Sequence, residues 1–466
     1  MKRPLLLVAL LCVFGAAKAQ PYGNEWIDYG KQYWKLKLFA PNAFESIWRI
    51  DSTTLANSGF PLGTVNPQDI QLFGREKEVP IWVEGEADSV FNSTDFIEFH
   101  ARNNDAWMDA AHWENPGDLN TRYYNMYNDT IYYYLTIANS TEVPKRIQPY
   151  QNTDFGGLPL RTWCWGENII FTHIINSGYQ KGEVDYVGAQ SSFMGPGEGW
   201  VARLQNDILN GTPATYNLPC TLGVVYQGPG APDGELTTVT MGENDPCDNA
   251  ATPVHHSQLA FGPIGSQTVI FDSTLSAFQN VHHTIAIPAS LIVPGSNISL
   301  IAQDDAAPCT TSVVTNYVTA WSDIKLLYPR TFDNGGAQII KAIFDDDPQE
   351  LDANVQFTNV YGVPIFHVLN DDTTWRVMPT NAGGTSWNAR FPANGAGDRS
   401  TVFGLYGING WVSAVTSITP VTPSGFFTDH AVAPLDSACI IITHGTLMNA
   451  VTLLPIQVPS PISTLG

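Results

Sequence analysis

Over the first third of the chain, apolar and polar side chains alternate in short runs bounded by turn formers. Trp34, Leu36 and Leu38 alternate with Lys35 and Lys37, and Ile131, Tyr133, Leu135 and Ile137 alternate with Tyr132, Tyr134 and Thr136. A period of two puts each set on one face of a β-strand. Ile70–Phe73, Val79–Val83 and Phe96–His100 read as further strands, separated by Gly59-Phe60-Pro61, Asn66-Pro67, Gly85 and Asn103-Asn104-Asp105, which supply turn geometry. Only Thr53–Gly59 reads as helix, for one or two turns. Residues 20–155 are therefore expected to form an N-terminal β domain.

The same pattern continues from Gly156 to Pro329 through Ile169–Ile175, Leu222–Tyr226, Glu235–Met241, Gln267–Phe271, His282–Ile287, Ile298–Ala302 and Trp321–Tyr328. So many short strands at turn-limited spacing predict a jelly-roll-like β-sandwich over 156–330, its last strand ended by Pro329. Val355–Val360, Pro364–Leu369 and Trp375–Met378 predict a third β region over 331–433. If that region packs back on the first domain, the sandwich becomes an insertion. Cys439–Ile442 is a continuous apolar run, the mark of a strand covered on both faces, and Leu447–Leu454 after it reads as a helix start. Residues 434–466 thus read as the opening of an α/β domain. It is expected to be truncated, because the rest contains Pro455, Pro459 and Pro461 and lacks room for a crossover of about a dozen residues and its return strand.

The N-terminus sets the destination. Met1-Lys2-Arg3, the apolar run Leu5–Phe14 and the small residues of Ala17-Lys18-Ala19 form a secretory signal peptide, residues 1–19, cut between Ala19 and Gln20. No later stretch reaches the roughly 20 apolar residues of a membrane span, so no transmembrane segment is expected after cleavage. The 44 acidic residues outnumber 22 Lys and Arg, for a net charge of −22, which excludes a nucleic-acid binder that works by neutralising phosphates. Charged residues are only 14 % of the chain; with abundant Gly, Pro and aromatics this composition favours strands and turns over surface helices.

Candidate chemistry is sparse. Outside the leader, Cys164, Cys220, Cys247, Cys309 and Cys439 are scattered without zinc-ligand spacing. Cys220 with Cys247 is the candidate disulfide for an oxidising compartment, and buried free thiols are the alternative. Cys439 and His444 tempt as a catalytic pair, but five residues along a strand separate them by roughly 16 Å, too far for a hydrogen-bonded dyad; no catalytic residue is assigned. His255-His256 and His282-His283 each offer at most one ligand per strand face. Asp345-Asp346-Asp347 and Asp304-Asp305 gather the oxygens a calcium ion needs but lack EF-hand spacing, so a solvated acidic turn competes with calcium there, and no other cofactor is expected. Gly195-Pro196-Gly197-Glu198-Gly199 and Gly228-Pro229-Gly230 lack the Lys and strand-to-helix context of a phosphate loop and read as turns. Tyr123-Tyr124, Tyr127 and Tyr132-Tyr133-Tyr134 read as strand packing before they read as a binding platform.

An ordered set of short motifs adds a resemblance. Tyr22-Gly23-Asn24-Glu25-Trp26-Ile27, Gln71-Leu72-Phe73-Gly74-Arg75 with Val79-Pro80-Ile81, Asp95-Phe96-Ile97-Glu98-Phe99, Asn128-Asp129-Thr130, Gly197-Glu198-Gly199-Trp200, Leu327-Tyr328-Pro329-Arg330 and Ile441-Ile442-Thr443-His444 resemble landmarks of type IX secretion sortases of the PorU kind. These are gingipain-like C25 cysteine peptidases in which exported β domains precede a caspase-like α/β domain. The resemblance implies removal of C-terminal sorting signals from secreted cargo, with that cargo and outer-membrane components of the secretion system as partners. It also implies a location at the cell surface, on the outer membrane or in the periplasm. The family's Cys/His dyad lies beyond the first α/β strand, so the resemblance carries no catalytic residue to this chain, which is expected to be inactive by itself. The alternative from another class is a surface adhesin or glycan-binding β-sandwich protein.

Overall fold

A computed structural model describes residues 26–39, 45–170, 174–176, 194, 198–208, 213–243, 253–276, 278–303, 316–345, 351–369, 373–393, 399–406 and 415–422. The expected signal peptide, 1–19, and the expected α/β opening at 434–466 lie outside them. The molecule is mainly β; among the described residues the single α-helix is Ser52–Asn57, capped by the Asp51 carboxylate accepting from the Thr54 amide. Residues 32–421 form one compact unit, and 1–31 with 422–466 form another. In the second unit a turn is described in which Asp28 accepts from the Gly30 and Lys31 amides.

Among its described residues the large unit holds three large apolar cores and smaller apolar clusters beside them. In the first, a five-stranded sheet runs in the order Ile418–Val421, Tyr33–Leu38, Ile131–Ile137, Ile70–Gly74 and Lys77–Val79. Its inward residues, among them Trp34, Leu36, Leu72 and Leu135, pack on Trp48, Ile50, Ile97 and Phe99 of a three-stranded sheet made of Glu45–Asp51, Phe96–Arg102 and Trp82–Val83. The predicted alternation is therefore realised, with Trp34 opposite Leu135 and Leu36 opposite Tyr133. Gly74 is required by packing: a Cβ there would lie 2.1 Å from the Tyr133 ring.

A ten-stranded sheet supplies one wall of both remaining cores. Its long strand Asn316–Arg330 and neighbour Gly234–Gly242 face a four-stranded sheet, ordered Ala214–Pro219, Ser296–Gln303, Pro253–Pro263 and Thr268–Ser276, across Leu236, Leu259, Phe261, Leu300, Trp321 and Leu326. This is a β-sandwich. Further along the same sheet, Ile339–Phe344, Ser400–Leu405 and Ile365–Leu369 face the three strands Ala353–Phe357, Ser386–Phe391 and Thr380–Gly383. The Phe357–Phe366 and Phe366–Phe391 ring pairs lie 5.0 and 5.3 Å apart in that core. Strand Cys164–Ile169 joins the two stretches by pairing with Asn316–Arg330 on one side and Ile339–Phe344 on the other.

The long strand ends at Arg330, one residue past the expected Pro329. Pro329 stays in register opposite Trp165, and its carbonyl accepts from the Tyr226 amide; only a proline's missing N–H is lost from the ladder. Among the strands that sequence reading did not name are Glu45–Asp51, Arg203–Ile208, Ala214–Pro219, Pro253–Pro263, Ser386–Phe391 and Ser400–Leu405, and Leu222–Tyr226 contributes only a bridge at Val225.

Candidate functional site

The outward face of the three-stranded sheet is largely covered too, with Arg102 at its exposed rim. Glu45, Ile47 and Arg49 alternate along one strand, and Glu98, His100 and Arg102 along the next, with Glu45 opposite Arg102 and Ile47 opposite His100. This face meets the ten-stranded sheet, where Ile47 packs on Phe403 and Leu405. Around that apolar contact the interface is ionic. Glu98, with no exposed surface, accepts from Arg49 at 2.8 Å, Arg376 at 2.9 Å and His367 at 2.9 Å. Glu45 accepts from His100 at 3.0 Å and Arg102 at 3.3 Å, and Lys341 bridges it to Glu167. A carboxylate acceptor requires Nε2–H on each imidazole.

Burial pushes the Glu45 and Glu98 carboxyls up, but Lys341 beside Glu45, and His367 and Arg376 beside Glu98, outweigh it and hold both well below the usual carboxylate range. Burial lowers His100, only partly offset by Glu45, and it lowers Lys341, where Glu45 and Glu167 prevail and keep the amine charged. Locked carboxylates of this kind exchange no proton near neutral pH. The seam holds sheets together. The two described cysteines are no readier: burial raises the Cys164 and Cys220 thiols to about 12, which leaves neither as a thiolate near neutral pH.

Beside the seam lies a cavity of about 510 Å³ lined by Arg75, Arg102, Arg122, Lys325 and Lys341, with Asp105, Glu167 and Tyr123 among them and Ala106, Ala110, Leu119 and Ile169 as its apolar wall. Trp107 lies at this wall, 38 % exposed. A second cavity, of about 300 Å³, shares Arg75 and Arg102 and adds His100, Tyr133 and Thr374. Lys325, Glu167 and Ile169 reach the larger cavity from one sheet face, since Lys325 is opposite Ile169 and Leu327 opposite Glu167.

Two backbone irregularities place cations there. Arg75 and Glu76 form the turn between Ile70–Gly74 and Lys77–Val79 with φ of 52° and 62°, the left-handed pair that Asn-Gly normally fills. Arg75 then reaches Asp105 at 3.0 Å and the Asn103 carbonyl at 3.0 Å. Asp323 has φ of 49° at a bulge where the pairing with Gly234–Gly242 shifts register, and its buried carboxylate accepts from Arg122 Nε at 2.9 Å. Bulges commonly re-aim side chains in this way.

The residues singled out from sequence do not converge. His255 is buried, His256 lies 2.8 Å from Asp272, His282 lies 3.0 Å from the Gly117 carbonyl and the His283 ring is tilted against Phe271 with centroids 4.3 Å apart. Among the described residues no three metal-ligating side chains gather. Asp345 bonds Trp165 Nε1 at 2.7 Å and Arg399 at 2.9 Å; its neighbours Asp346 and Asp347, and Asp304-Asp305, lie outside the described residues. So do Ala19, Gln20, Cys247, Cys439 and His444, while Cys220 is a half-buried free thiol. Of the tyrosines, Tyr133 is core, Tyr132 sits under Lys35 at 4.4 Å, Tyr127 is exposed and Tyr123 lines the larger cavity. Sequence reading missed the seam and the cavity. The available signal was Glu98-x-His100-x-Arg102, both charge signs on one strand face.

No helix among the described residues is long and apolar enough to cross a membrane. No family model and no curated protein matches the chain. Among solved structures, dimeric latent PorU from Porphyromonas gingivalis is similar with a TM-score of 0.49 at 12 % identity, over 84 % of this chain and 33 % of that one. The STIV MCP is similar with a TM-score of 0.13 at 9 % identity, over 44 % of this chain and 95 % of that one. The chain thus spans about a third of the length of the PorU chain it matches.

Proposed function

We propose that this chain is the exported β region of a PorU-like sortase, a non-catalytic support for cargo processing at the cell surface. The ordered sequence motifs supply the family half of this reading. The supporting half rests on one observation. Ile418–Val421 returns to pair with Tyr33–Leu36, and Gln32 donates to the Val421 carbonyl at 2.9 Å, so the β unit is entered and left at one sheet edge. A unit whose first and last described strands pair is closed on itself, as suits a supporting element.

The reading is tested in the host by deleting the gene and by isolating the full chain. Expected results are a mature N-terminus at Gln20, surface fractionation, cargo that keeps its C-terminal sorting signal in the deletion strain, and no thiol-dependent peptide hydrolysis by the purified chain. Normal cargo processing in the deletion strain, with glycan binding by the purified chain, would instead establish the adhesin reading.

A further inference from the structure

We propose that the larger cavity is a binding site for a small organic monocarboxylate with an apolar body; this goes beyond the support role and does not depend on it. In a chain of net charge −22 with 22 Lys and Arg, five of those cations line one cavity. Such a concentration opposes the overall field, and its influence is local, because salt screens charges beyond about 8 Å.

Most of these cations already have partners. Arg75 pairs with Asp105, Arg102 with Glu45, Arg122 with Asp323, and Lys341 with Glu45 and Glu167. Lys325 is the one of the five with no carboxylate partner among the described residues. Five cations against Asp105, Glu45, Asp323 and Glu167 leave one positive charge uncompensated. A single carboxylate neutralises it, whereas a phosphate dianion would overshoot and meet Asp105 and Glu167 at the wall. The remaining lining selects the body of the ligand: Leu119 and Ile169 are apolar, and the partly exposed Trp107 offers a ring face. A volume of about 510 Å³ suits a small molecule, since such pockets span roughly 300–1,000 Å³. Left-handed backbone occurs at the wall residue Arg75 and at Asp323, which holds Arg122 of the lining, and such conformations cluster where ligands are held.

Titration calorimetry on the full chain tests the site with N-acetylphenylalanine, its amide and inorganic phosphate. The acid is expected to bind, the amide to bind at least about tenfold more weakly, and phosphate not to displace the acid at equal concentration. Lys325→Gln should weaken the acid about tenfold or more at an unchanged thermal midpoint, and Lys145→Gln, on an exposed lysine, should change nothing. A longer peptide ending in a free phenylalanine carboxylate separates the two sources of the group: binding equal to the acid admits a chain terminus, and weaker binding restricts the site to free acids. Equal binding of acid and amide, no binding of either, displacement by phosphate, or an unaffected Lys325→Gln variant would overturn the proposal. Should that variant fail to fold, the acid-to-amide comparison on the unaltered chain decides alone.

Discussion

Glu98 has no exposed surface and three nitrogen partners on three different strands. Removing the carboxylate leaves Arg49 and Arg376 facing each other in the interior, and breaking a buried pair from one side costs about 3–5 kcal/mol. Glu98→Ala is therefore expected to lower the unfolding free energy by that much, read from the denaturant midpoint and slope, while Glu78→Ala, at a partly exposed position, should cost well under half of it. The seam also sets a pH dependence. Glu45 and Glu98 are held low in the fold, so their stabilisation is complete above the unfolded carboxyl pKa of about 4.3 and is lost as pH falls through their folded values. His100 is lowered by burial, so the unfolded chain takes its proton first and stability falls as pH drops below about 6.5. Denaturation midpoints measured from pH 7.5 to pH 3 should decline in two stages, and His100→Gln should shrink the upper one. An increase on acidification would contradict both signs.

At the scale of elements, alternation along Tyr33–Leu38 and Ile131–Ile137 was legible because one face is apolar and the other polar. Glu45–Asp51 was not legible, since its second face is buried through charge: Glu45 and Arg49 flank Ile47 against Phe403 and Leu405. Lone charged residues in a strand read as solvent-facing, and their partners Lys341, His367 and Arg376 lie hundreds of positions away. The Arg75-Glu76 turn escaped for a related reason: neither residue carries the signature of a left-handed pair. That mismatch predicts that Glu76→Gly, at an exposed position with φ of 62°, raises stability by about 1 kcal/mol, read as a higher denaturant midpoint. Gly74→Ala in the preceding strand should lose about 1–3 kcal/mol through its clash with Tyr133.

For the whole molecule, the continuous ten-stranded sheet explains why one seam can couple the cores on its two sides. The support reading depends on closure of the chain onto its first sheet. Its most direct test is hydrogen exchange on the full chain, comparing the peptide that covers residues 418–421 with the one that covers 131–137. Pairing with Tyr33–Leu36 predicts that both are protected and lose protection together as denaturant approaches the unfolding midpoint. Immediate exchange at 418–421 while 131–137 stays protected would contradict the closure, and with it the account of a β unit closed by pairing of its first and last described strands.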